Sequence, residues 1–253
     1  MSREQSQYVL EIRYQPNAKV LDHRGKWAEL IAAEMHLPHW VIVENRVDVF
    51  DDAQNIRCYV GFRNMGYIIT KPPTTNFFSD QSVKFLKFVG AFDDFETPLR
   101  VQRIGVRTRM LTPFDGGMEA LVSMYKDRFL GPTPKAEAVL GGNLIDIGGA
   151  LNFSGKFGNF NTNGGPMPAE QAKSFFPDGE DHPEVGLYFD VDYWMRPQQA
   201  MLVADIAKVI RQFSSESLAK HANIKDLIIG ELPDVQEAWV ERQDTTQARR
   251  PSA

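Results

Sequence analysis

The chain has 253 residues, 43% of them hydrophobic, enough to bury a core without disulfides or metal. A net charge of −5 with no basic run argues against nucleic acid as partner, and a single cysteine, Cys58, excludes a disulfide framework within the chain. The polar start, Met1 to Gln7, has no apolar signal core, and no run of about 18 apolar residues exists to span a membrane, so a cytoplasmic protein is expected.

Tyr8 to Tyr14 alternates apolar and polar residues and predicts a strand. Asp22 opens a helical stripe of Trp27, Leu30, Ile31 and Met35, which Pro38 stops. Trp40 to Phe50 reads as one long strand, with Val41, Val43, Val47 and Val49 on one side. Ile56 to Arg63 and Tyr67 to Lys71 follow around Asn64-Met65-Gly66, completing a three-stranded meander. Cys58 lies within it as a small buried hydrophobe. Ser79 or Asp80 caps a helix carrying Val83, Leu86 and Val89.

The second half begins in the same way. Leu99 to Thr112 predicts a long strand, and Asp115 a helix with Met118, Leu121, Val122, Tyr125 and Phe129. Strands are expected at 137–140, 143–154 and 185–194, and Pro197 is expected to open the last helix. Residues 155–183, rich in Gly and Pro, read as a long loop, and residues 231–253 as a polar tail anchored by Trp239. The expectation is a single α+β domain over 1–230. It has a mostly antiparallel sheet, helices on one face, and two pseudo-repeats of β-α-β-β-β-α over 8–97 and 98–230.

Leu10-Glu11-Ile12-Arg13-Tyr14, Arg103-Ile104-Gly105-Val106-Arg107, Leu187-Tyr188-Phe189-Asp190-Val191-Asp192 and Arg211-Gln212-Phe213-Ser214 carry a resemblance. Over residues 8 to 230 the chain resembles a sporadically distributed family of uncharacterised prokaryotic proteins of about this length. Thr108-Arg109 departs from that family's pattern. The resemblance implies no activity and no catalytic residues. The patchy distribution is typical of mobile accessory genes, including phage-defence and immunity components.

The leading candidate site is a face of charged residues. Arg103, Arg107 and Arg109 share a side of their strand, and Asp190 and Asp192 share a side of theirs. If both sides lie on one sheet face, they form either a solvated ion-pair network or a pocket for an anion or acidic partner. Glu11, Arg13, Glu44, Arg46, Arg57 and Arg63 would extend that face. Phe77-Phe78 and Phe175-Phe176 are core residues on the plain reading, or anchors for a partner protein or membrane surface.

Other motifs are weak. His36-x-x-His39 is interrupted by Pro38, so zinc is not expected. Ser154-Gly155-Lys156-Phe157 lacks the hydroxyl residue of a phosphate loop, and Gly141-Gly142 to Gly148-Gly149 lacks dinucleotide spacing. Asp178, Glu180, Asp181 and His182 read as a solvated acidic loop. His23 and His221 have no obvious partner. No cofactor or metal is expected. The reading is a non-catalytic sensor or adaptor whose partner is a protein or a membrane surface. The alternatives are a small-molecule or anion-binding pocket protein and an enzyme of unrecognised type.

Overall fold

A computed structural model of the chain describes residues 4–130, 148–176 and 182–230. Its centre is a nine-stranded antiparallel sheet. The first half contributes β1 (Gln5–Tyr14), the short helix α1 (Ala18–Asp22), α2 (Arg24–Met35), β2 (His39–Val43), β3 (Arg46–Asp51), β4 (Ile56–Gly61), β5 (Asn64–Thr70) and α3 (Phe77–Gly90). The second contributes β6 (Val101–Pro113), α4 (Gly117–Tyr125) with a π-helical turn at Lys126–Leu130, β7 (Gly149–Ser154), β8 (Asn159–Pro168), α5 (Ala169–Ala172), β9 (Val185–Met195) and α6 (Val203–Ile229). The strand order is β2-β3-β4-β5-β1-β6-β9-β8-β7.

Period-two alternation sorts each strand between the two faces. Leu10, Ile12, Ile104, Val106, Val191 and Tyr193 point to the inner face, where they bury Trp27 of α2, Phe85 and Leu86 of α3, and Ile206, Ile210 and Phe213 of α6. Towards the far end α4 closes the same face, with Leu121 and Tyr125 against Leu187 and Phe189. An aromatic ladder, Phe153–Phe160–Tyr193–Phe213, runs along it with centroid spacings of 4.6, 4.8 and 5.4 Å. Cys58 is buried in this core, and burial pushes its thiol up, out of the nucleophilic range.

Several sequence expectations are corrected. The single strand expected from Trp40 to Phe50 is a hairpin, β2 and β3, turning at Glu44-Asn45. Val47 and Val49 are buried as expected, whereas Val41 and Val43 lie exposed on the edge strand. The first half therefore carries four strands after its helices rather than three. The turn between β4 and β5 is at Phe62-Arg63, ahead of Asn64-Met65-Gly66.

The helix caps also move. Asn76 precedes α3 and Gly116 precedes α4, in place of Ser79 or Asp80 and of Asp115. The expected 155–183 loop contains β8 and α5. The last helix begins at Val203 rather than Pro197 and runs 27 residues. The strand expected at 137–140, most of the acidic cluster from Asp178 to Asp181, and the 231–253 tail lie outside the described residues. No helix of the described residues is long and apolar enough to cross a membrane.

Candidate functional site

The outer face of the sheet is built differently. Among the described residues only α5 and the turn after it lie on this face, covering one end where Phe176 packs with Leu111, Met167 and Tyr188. The rest is a mainly polar plane of side chains in cross-strand register. One row runs Gln7–Arg109–Asp190–Asn163, and the next runs Val9–Arg107–Asp192–Asn161–Asn152.

Parity in the sequence placed the Arg and Asp side chains on faces of two separate strands. Pairing of β6 with β9 brings those faces together. Arg107 donates from Nε to both oxygens of Asp190 at 2.8 Å, and its Nη2 also contacts Oδ2. Arg109 reaches Asp190 at 3.4 Å and donates to Gln7 Oε1 at 2.7 Å. Arg103 donates from Nη2 to both oxygens of Asp192, at 3.0 and 2.7 Å, and from Nη1 to Glu11 at 3.3 Å. Glu11 also holds Arg13, at 2.8 Å, and accepts from Asn64.

Two glycines make room for this layer. A Cβ on Gly105 would lie 2.4 Å from the Arg103 guanidinium, and a Cβ on Gly66 would lie 2.5 Å from the Tyr59 ring. Both side chains therefore lie flat on the sheet.

The electrostatics follow from burial. Asp190 is only 6% exposed, while Arg107 above it is 44% exposed. The Arg107 guanidinium is driven further into its charged form by the hydrogen bonds to Asp190. Burial raises the Asp192 carboxyl above its ordinary value, against the opposing pull of Arg103 and Arg107. In the network of Arg13, Arg103, Arg107 and Arg109 with Glu11, Asp190 and Asp192, four cations meet three anions and leave one net positive charge. The guanidinium groups are thus largely neutralised in place, which disfavours a simple phosphate pocket.

Above the Asp pair, β7 and β8 wall a groove of about 290 Å³ lined by Arg107, Asn152, Asn161, Asn163, Asp190 and Asp192. The three asparagines were not singled out from sequence. For Asn161 and Asn163 the signal was their alternation with Asn159, which marks one face of a strand. Glu44 lies in the hairpin turn and Arg63 stacks over Phe62, so neither joins the network, whereas Arg46 pairs with Asp48 at 2.8 Å and covers Tyr59.

The Phe pairs lie within the fold. Phe78 and Phe176 are buried, Phe78 against Tyr8 and Tyr67, Phe176 against Tyr188; Phe77 and Phe175 pack beside them. Their apolar surface is already used internally. His36, in a left-handed conformation, ends α2, and His39 stacks near Phe50, so the two rings serve separate elements. His23 pairs with Asp94 at 3.0 Å.

His221 does have partners. On the inner face its Nε2 lies 2.8 Å from Thr108 Oγ1 and 3.2 Å from the Thr108 carbonyl oxygen, and Thr108 Oγ1 also contacts Ser217 Oγ. Because a carbonyl only accepts, the ring proton sits on Nε2. Burial pushes the His221 pKa down to about 4, leaving the ring neutral near pH 7. Compared with models of known protein families the chain matches none, and it matches no curated protein sequence.

Proposed function

We propose that the protein is a non-catalytic binding protein, a sensor or adaptor, whose partner docks on the outer sheet face. One observation carries this reading. Arg107, half exposed and clamped by buried Asp190, floors a groove walled by Asn152, Asn161 and Asn163. Each carboxamide offers a donor and an acceptor, the complement of a peptide group. The near-neutral charge suits a polar protein surface better than a polyanion.

Catalysis is disfavoured by the same geometry, because Asp190 and Asp192 are engaged by arginines rather than poised as bases. The resemblance to a sporadically distributed prokaryotic family supports an accessory role, such as phage defence. The strand order is consistent with two related halves over 8–97 and 98–230. Their opening strands, β1 and β6, pair at the centre, and each half spreads outward from there.

The test is affinity purification of the native protein from its own cells, with and without phage infection, beside an Asn161→Arg variant. A stoichiometric protein held by the wild type and lost by a variant of unchanged Tm is expected. Retention of the same partner by Asn161→Arg moves the site off this groove. Recovery of only a small molecule replaces the adaptor reading with a pocket protein.

A further inference from the structure

A second cavity lies on the opposite face of the sheet, between α6 and strands β6 and β9. It measures about 280 Å³ and is walled by Met110, Leu187, Phe189, Leu218 and Ile224, with the His221 ring on one side. Glu4, Ala222 and Lys225 also line it. An apolar cavity of about 150 Å³ suffices for benzene, so one of this size takes roughly twelve non-hydrogen atoms.

The polar lining is Glu4, Thr75, Thr112, His221 and Lys225, and its bonding is uneven. The Nε2 side of His221 is committed to Thr108, so the ring presents an uncharged flank to the cavity. Glu4 accepts a hydrogen bond from Thr112 at 3.1 Å. Lys225 meets Glu4 only at 3.8 Å, with both side chains about half exposed. An ammonium group has three donors. One loose contact leaves the Lys225 ammonium donors open to an incoming acceptor, while Glu4 Oε2 already takes the Thr112 hydroxyl.

We propose that this cavity binds a medium-chain carboxylate, with its alkyl chain between Met110, Leu187, Phe189 and Leu218 and its head at Lys225. The walls supply the apolar burial that drives entry, and the lysine selects an anionic head over a cationic one. The site is separate from the outer groove, and neither reading depends on the other.

Sodium decanoate has the matching number of non-hydrogen atoms, and decylamine differs from it in the sign of its head. Both are titrated below their aggregation limits into the full-length protein, with binding followed by calorimetry and by methyl NMR shifts of Met110 and Leu187. Saturable one-to-one binding of decanoate, with shifts at both methyl sites, is expected, and decylamine should bind at least tenfold more weakly. Ala222→Trp, at an exposed position on the rim, should abolish binding while preserving the unliganded Tm. Lys225→Met should weaken decanoate about tenfold, the loss of one modest ion pair.

Absence of saturable decanoate binding overturns the proposal. So does binding that leaves the Met110 and Leu187 methyls unshifted. Equal affinity for decylamine overturns the assignment of the head group. If Ala222→Trp proves unstable, the methyl shifts of the wild type decide the location alone.

Discussion

The two faces of this sheet are made from the same strands, yet they are held by different forces. On the inner face Leu10, Ile104, Val106 and Val191 lose essentially all contact with water beneath α2, α3 and α6. Burial of that kind contributes on the order of 25 cal/mol per Å² and involves no titrating group. On the outer face the neighbouring residues Glu11, Arg103, Arg107, Asp190 and Asp192 face one another in ion pairs. Such pairs gain little net stability, because desolvation offsets much of the Coulomb attraction. The inner face therefore carries stability, and the outer face holds an ordered polar surface. One residue trio departs from this division: Thr108, Ser217 and His221 place a polar cluster inside the apolar face.

The contrast can be broken most forcefully from the inner side. Phe213→Ala removes a buried ring from the aromatic ladder and should cost about 3–5 kcal/mol in denaturant unfolding. A loss below about 1 kcal/mol would mean that α6 contributes little to the core.

The polar exception should be visible as a pH effect. His221 has a folded pKa of about 4, below its unfolded value of 6.5, so the unfolded chain binds the extra proton between those limits. Its contribution is fully present above pH 6.5 and is lost as pH falls towards 4, a change of roughly 3 kcal/mol at most. His221→Gln should flatten the stability profile across that window, and an unchanged profile would show that another group titrates there.

On the outer face, Asp190→Ala leaves Arg107 and Arg109 without their carboxylate. The cost should be about 1–3 kcal/mol, below that of a fully buried pair because Arg107 reaches solvent. Thermal unfolding should also show the variant losing stability less at high salt, where its unpaired arginines are screened. The smallest effect is expected at Arg211–Asp80, an exposed pair between α6 and α3 at 2.5 Å. Asp80→Asn should change stability by less than about 1 kcal/mol, and a larger change would show that this contact helps to fix the two helices.

Local patterning made much of this protein readable before its fold was known. The alternation in Tyr8–Tyr14 and the shared parity of Arg103, Arg107 and Arg109 are properties of a strand by itself, since successive side chains point to opposite faces. So are the helical stripes of α2, α3 and α4. What parity could not say is which strand lies beside which. Arg107 meets Asp190 only because β6 pairs with β9, 83 residues apart in the chain. The Val41–Val49 run was misread because the valines keep one parity across Glu44-Asn45, with only Asn45 breaking the stripe, and the pairing of Val43 with Arg46 shows that the chain turns there. His221 went unassigned, and Phe176 was left between core and partner anchor, for the same reason: their environments, Thr108 for one, Leu111 and Tyr188 for the other, come from distant strands. Period and charge are written along the chain. The covering of one sheet face and the opening of the other depend on long-range packing, which decided where both candidate sites lie.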